Sequence, residues 1–213
     1  MPLYKTINVS ESTTVFVWKI TESFDALQSE VQLNELNDIR LKRMKSQLHQ
    51  RAFLSVRKLL KHCGYCDFDL YYDEFGKPHL NDGRHISITH SHEFSAIVLS
   101  DKNIGVDMEM KRDKIIRIAD KFIEHEAEFL NHQNEADYIS KLTAIWGAKE
   151  SIFKILNEKG ISFKDHITIN PFEMDERRLL ALFDFEGIKK CFSVCFEEIE
   201  NFILVYALEK KLI

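Results

Sequence analysis

Apolar residues alternate with polar ones in several short runs and recur every three or four positions in others, so the chain predicts strands and helices in mixed order, an α+β fold. Val15-Phe16-Val17-Trp18-Lys19-Ile20 reads as a strand, and residues 27–36 as a short helix. Across residues 39–62, Leu41, Met44, Leu48, Ala52, Val56 and Leu59 recur at helical spacing and predict one amphipathic helix. Residues 68–72 form the next strand. The turn Asp73-Glu74-Phe75-Gly76-Lys77-Pro78 then carries a lysine whose backbone the following proline holds extended, so its amine is expected to point outward. Residues 85–92 and 94–99 predict two strands joined by a polar turn, and residues 101–103 lead into a further strand, residues 104–110. His90 is therefore expected on a strand neighbouring that one, in one small antiparallel sheet. Residues 111–122 predict a helix with Ile115, Ile118, Ala119 and Phe122 as its stripe and Asp113 as its cap, followed by a helical stretch at 124–130. A long helix over 138–157, closed by Gly160, buries Leu142, Ile145, Ala148, Ile152 and Ile155. Strands near Ile167 and over 179–185, 191–196 and 202–208 complete the pattern.

Chemistry concentrates on Ile104-Gly105-Val106-Asp107-Met108-Glu109-Met110. Alternation puts the four apolar side chains on one face and Asp107 with Glu109 on the other, their α-carbons roughly 6.5 to 7 Å apart, a spacing from which two carboxylates converge on one hard cation such as Mg2+. Gly105, on the same face, is expected to leave room for a ligand. A half-exposed edge strand with two solvated acids has the same pattern, and both readings stand on this segment alone. On the long helix, Trp146, Glu150 and Lys154 follow at four-residue intervals and form one stripe; a Glu–Lys pair at that spacing is also an ordinary helix stabiliser.

With 213 residues, 45% hydrophobic and 30% charged, the chain is long enough for one large domain or two small lobes with a real core. The start shows no charged-then-apolar leader and the apolar run 202–208 is too short to span a bilayer, so a cytoplasmic location is expected. Cys63, Cys66, Cys191 and Cys195 are too few for a disulfide framework, and the Cys63/Cys66 spacing lacks a nearby partner pair for zinc. Net charge is −5, yet residues 39–62 carry Arg40, Lys42, Arg43, Lys45, Arg51, Arg57, Lys58 and Lys61 with no acid. Without an overall basic balance, nucleic-acid or membrane binding is not expected. A solvated helix face and a grip on a compact polyphosphate remain the two readings, and the local patch suits the second. His90 admits three roles: a surface turn residue, half of a His-x-His metal pair with His92, or a phosphate-contacting imidazole.

The order Gly76-Lys77-Pro78, Thr89-His90-Ser91, Ile104-Gly105-Val106-Asp107-Met108-Glu109, Phe122…Glu126…Phe129-Leu130 and Trp146-Gly147-Ala148-Lys149-Glu150-Ser151-Ile152-Phe153-Lys154 resembles the 4′-phosphopantetheinyl transferases of the larger, surfactin-synthetase-activating type. The resemblance covers roughly residues 50–171 and departs from the usual Ser-His by Thr89-His90, which keeps the hydroxyl. It implies two similar α+β lobes, residues 1–110 and 111–213, with pseudo-twofold symmetry and the active site in the cleft between them. It also implies transfer of the phosphopantetheine arm of coenzyme A to a serine of an apo acyl, peptidyl or aryl carrier protein by a monomer, with release of adenosine 3′,5′-bisphosphate. Asp107, Glu109 and Glu150 then look like Mg2+ ligands, Glu150, Lys154 and His90 like the catalytic residues with Glu150 or a water it orients as the base, His90, Lys154 and Lys77 like contacts to coenzyme A phosphates, Thr89 like a further coenzyme A-binding residue, and Arg51 like a nucleotide-end contact. A silent coenzyme A or carrier-binding module and a metal-dependent phosphoesterase are the alternatives. Lys114, Arg117 and Lys121 are expected to share a helix face that attracts an acidic carrier protein.

Overall fold

A computed structural model describes residues 3–210 and divides the chain into two compact units, residues 1–102 and 103–213. In the first, β1 (Leu3–Asn8) and β2 (Thr14–Lys19) pair as a hairpin, and α1 (Phe24–Glu30), α2 (Glu35–Arg43) and α3 (Gln47–His62) follow. A small ribbon of β3 (Leu70–Tyr72) and β4 (Pro78–Leu80) precedes the hairpin of β5 (His85–Ser91) and β6 (Phe94–Ser100). The four long strands make one antiparallel sheet in the order β1-β2-β6-β5. Every residue of β6 is buried, as expected of an inner strand, and Ser55 of α3 donates to Ser95 of β6 at 2.8 Å beneath the packed side chains.

The helix predicted over 39–62 is two helices. The backbone is extended at Met44 and Ser46, and the amide of Gln50 donates to the carbonyl of Met44 across the break. Leu48 is 41% exposed, so the stripe does not run through it; α3 instead buries Ala52, Phe53, Val56, Leu59 and Leu60. The helix predicted over 27–36 likewise ends at Glu30, and Asn34 begins α2 by capping Asn37.

In the second unit, β7 (Ile104–Met110) leads into 3₁₀ turns at Asp113–Lys121 and His125–Glu128, then into α4 (Glu135–Leu156) and the short α5 (Phe163–His166). β8 (Ile167–Ile169), a 3₁₀ turn at Met174–Glu176, β9 (Arg178–Phe185), β10 (Ile188–Ile199) and β11 (Phe202–Lys210) complete it. The sheet order is β7-β11-β10-β9-β8, antiparallel throughout. β7 therefore pairs with β11, so the expectation that His90 and Asp107 lie on neighbouring strands is corrected, and the strand expected in the first lobe belongs to the second unit. Its ladder with β11 runs over seven residue pairs, from Ile104↔Leu208 to Met110↔Phe202.

α4 lies across this sheet with Leu142, Ile145, Ala148, Ile152 and Ile155 inward, the stripe its spacing predicts. Asn134 caps its start, and Asn157 in the left-handed conformation closes it ahead of Gly160, the predicted stop. The segment predicted as a helix over 111–122 winds as 3₁₀, and Asp113 lies inside its first turn without capping it.

Candidate active site

The two elements that carry the carboxylates touch almost backbone to backbone. A Cβ on Gly105 would stand 1.9 Å from the carbonyl oxygen of Ser151, and one on Gly147 would stand 2.7 Å from Cγ2 of Val205. Two glycines thus let α4 settle onto β7 and β11, and the space expected at Gly105 for a ligand is filled by the helix. Antiparallel register puts Gly105, Asp107 and Glu109 on the same face as Ala207, Val205 and Ile203, and this face meets α4.

The stripe Trp146, Glu150, Lys154 points at that face. Trp146 Nε1 donates to Glu109 Oε1 at 3.3 Å; Lys154 Nζ donates to Asp107 Oδ1 at 2.9 Å and to the Val106 carbonyl at 2.8 Å. Asp107 is buried rather than solvent-lined, at 5% exposure, with the Lys154 ammonium as its counter-charge. Glu109 is pushed up to about 7, first by burial and then by the negative charge of Asp107, with Glu150 adding to it and the Trp146 hydrogen bond opposing it. Glu150 is raised too, by burial and by Asp107, against the pull of Lys154. Burial and the charge of Asp107 thus raise the proton affinity of both glutamates, and the three carboxylates form a concentrated negative site. Beside it opens a cleft of about 180 Å3 lined by Glu109, Arg112, Lys114, Ile115, Thr143 and Trp146, among others.

As they stand, no group of three or more His, Cys, Asp or Glu side chains among the described residues is arranged to hold a metal ion. The chemistry of the set nevertheless fits a divalent cation: three hard oxygen donors from two adjoining elements, two of them protonated more readily than ordinary glutamates because they are buried and lie beside a further negative charge.

A second feature of the motif escaped the sequence pattern. Lys149, next to Glu150, is fully buried and pairs with Glu126 at 2.8 Å, while its ammonium also donates to the carbonyls of Phe122 (2.6 Å) and Phe163 (2.9 Å). Glu126 in turn accepts from the backbone N–H of Ile169 and of Glu124. The pair ties α4 to the 3₁₀ turns, α5 and β8. A lysine and a glutamate at motif positions suggest chemistry, but their surroundings give them an architectural task.

The remaining candidates lie on the first unit. Thr89 is buried and His90 exposed on β5, with the His90 ring 6.5 Å from that of His49. Lys77 is half-buried instead of pointing outward; burial lowers its proton affinity, and its backbone N–H donates to Asp73. Arg51 donates to the Ile20 carbonyl at 2.9 Å and keeps a buried Nε without a hydrogen-bond partner among the described residues. The basic run is compensated in part. Arg57 is buried against Asp67 and stacks on Phe53, Lys58 pairs with Glu30, Lys61 donates to the Glu30 carbonyl, and Lys42 pairs with Asp38. Acids outside the run thus neutralise Lys42, Arg57 and Lys58, three of its eight cations, and the count of eight overstates the charge left to meet a ligand.

The second unit thus sets Asp107 and Glu109 on an edge strand against the facing stripe of Trp146, Glu150 and Lys154. Residues 103–207 match the 4′-phosphopantetheinyl transferase superfamily, and over this segment the chain belongs to it. The 4′-phosphopantetheinyl transferase gsp of Aneurinibacillus migulanus is 32% identical over 108 residues, which cover 50% of this chain and 43% of that relative. The match thus spans less than half of the relative's length. No helix among the described residues is long and apolar enough to cross a membrane.

Proposed function

We propose that the chain transfers the 4′-phosphopantetheine arm of coenzyme A to a serine hydroxyl of an apo acyl, peptidyl or aryl carrier protein, in a Mg2+-dependent reaction that releases adenosine 3′,5′-bisphosphate. The observation that supports this best is the meeting of Asp107, Glu109 and Glu150 with Lys154 where α4 seats on β7. The serine oxygen forms a bond to the phosphorus that bears the pantetheine arm as the bond from that phosphorus to the oxygen of the departing bisphosphate breaks. The hydroxyl proton passes to Glu150, directly or through a water, and its raised proton affinity suits a base at neutral pH. Lys154 sets an ammonium where anionic phosphate oxygens need one. Mg2+, when bound by Asp107, Glu109 and Glu150, supplies charge neutralisation at the pyrophosphate. Thr89, His90, Lys77 and Arg51 are the proposed contacts to coenzyme A on the first unit.

Incubation with coenzyme A, Mg2+ and a panel of apo carrier proteins is expected to add one phosphopantetheine to a carrier, read by mass, with the bisphosphate formed in equal amount. Bisphosphate formed as fast without a carrier would make the protein a phosphoesterase, and coenzyme A binding with no product would make it a binding module. Asp107→Ala abolishes the mass gain in this reading; normal turnover in that variant would refute the assignment of Asp107.

A further inference from the structure

Among the proposed coenzyme A contacts, Lys77 lies in the turn between β3 and β4, and the main chain of that turn is gathered onto one side chain. Asp73 Oδ1 accepts from the backbone N–H of Phe75 at 3.0 Å and from that of Lys77 at 2.9 Å. The main chain of Asp73 closes the same turn: its N–H donates to the Lys77 carbonyl and its carbonyl accepts from Gly76, both at 3.0 Å. The other carboxylate oxygen, Oδ2, lies 3.0 Å from His79 Nε2. The His79 ring stacks on Tyr71, its partner across the ribbon, with centroids 5.3 Å apart and planes 20° from parallel. Asp73 is thus anchored to the ribbon by one oxygen and holds the turn with the other.

The ribbon alone is a weak support. Its two strands meet over three residue pairs, and Gly76, at φ 84° and exposed like Glu74 and Phe75, loosens the chain just ahead of Lys77. An aspartate that accepts from N–H groups two and four residues on replaces that freedom with one conformation. We propose that Asp73 is a positioning residue for coenzyme A, which holds the β3–β4 turn in one conformation and so sets Lys77 in place before the ligand arrives. The inference rests on the proposed contact of Lys77 with coenzyme A phosphates and adds the residue that spares the turn the cost of ordering on binding. Asp73 has a second route to the same amine, since its charge opposes the loss of proton affinity that burial imposes on Lys77.

The test sets Asp73→Ala beside Asp73→Asn. Asparagine keeps a side-chain oxygen for the two N–H groups and drops the charge; alanine drops both. Calorimetry gives the Kd for coenzyme A, the transfer assay gives kcat with KM for coenzyme A and for an apo carrier protein, and thermal unfolding checks the fold. Asp73→Ala is expected to raise Kd and KM for coenzyme A about tenfold, with kcat and the carrier KM within about twofold, while Asp73→Asn stays within about threefold of wild type. In a Lys77→Ala background, Asp73→Ala is expected to add less than about twofold, because both residues act on one contact. A full effect of Asp73→Ala in that background, an asparagine variant as weak as the alanine one, or a matching fall in kcat and carrier affinity overturns the proposal. Should Asp73→Ala fail to fold, His79→Phe, which keeps a ring on Tyr71 and releases Asp73 Oδ2, is read in its place. A wild type that binds no coenzyme A, or unchanged affinity in Lys77→Ala, removes the Lys77 contact and this proposal with it; weak binding by Lys77→Ala beside an unaltered Asp73→Ala removes this proposal alone.

Discussion

Replacing Lys149 with methionine tests whether the site's architecture rests on its buried ion pair. The side chains of Lys149 and Glu126 are 0% and 1% exposed, and all three ammonium protons have acceptors: Glu126 and the carbonyls of Phe122 and Phe163. Methionine has nearly the same length and no charge. It leaves Glu126 as a carboxylate in a dry interior, still holding the N–H groups of Ile169 and Glu124 but with no counter-charge. Breaking one side of such a pair costs about 3–5 kcal/mol, and two carbonyls lose their donor besides. With a urea slope of about 1–2 kcal/mol/M for a unit of this size, the midpoint of the second unit's unfolding falls by on the order of 2 M. Fluorescence of Trp146 follows that unit. Adding Glu126→Gln to Lys149→Met is expected to return part of the loss, because the amide needs no counter-charge and still accepts from Ile169. A midpoint within the error of wild type for Lys149→Met at neutral pH, or a double variant less stable than the single one, would refute the account of the pair as mutually compensating.

Gly105→Ala forces a methyl into the 1.9 Å gap to the Ser151 carbonyl, so strand and helix separate; a stability loss of about 2–4 kcal/mol and a large drop in transfer are expected, and a crystal structure with unmoved backbones would contradict this. Glu109 has its folded value, about 7, above its ordinary 4.5, so the folded state holds a proton that the unfolded chain has released between those values. Stability without added metal therefore falls as pH rises through that window, by on the order of 1–3 kcal/mol after discounting for its partial exposure, and Glu109→Gln flattens the slope; an unchanged pH profile in that variant would show the proton to be elsewhere. Three-residue winding aligns the exposed Lys114 and Arg117 and turns Lys121 away from them. Reversing Lys114 and Arg117 to glutamate is expected to raise KM for an acidic apo carrier and weaken its salt dependence while leaving coenzyme A affinity unchanged. Unaltered carrier kinetics at low salt would place docking on another face.

What the sequence disclosed follows from range. The stripe of Trp146, Glu150 and Lys154 and the alternation that pairs Asp107 with Glu109 are set by helix and strand periods within a few residues, and both appear as predicted. Their meeting depends on β7 pairing with β11, almost a hundred residues on, where local order favours β6 as partner. Gly105 was open to misreading for the same reason: what fills the space beside it is the main chain of Ser151, and no local pattern announces that. The basic run is compensated in part by Glu30, Asp38 and Asp67, all outside it, so its charge count overstated its reach. Leu48 fits the helical spacing but faces outward, because the chain leaves the helix at Met44 and restarts in a new phase.

The approach at Gly105 and Gly147 has a consequence for how such a site can change over time. At Gly105 the main chain of Ser151 decides how close α4 comes to β7, and at Gly147 the Val205 side chain decides how close it comes to β11, so a side chain added at either glycine can only force the elements apart. The carboxylates of Asp107 and Glu150 are held to this spacing as teeth on two meshed racks. Variation that alters what the protein accepts must therefore accumulate on the cleft wall of Arg112, Lys114 and Ile115, leaving the gauge between strand and helix as it is.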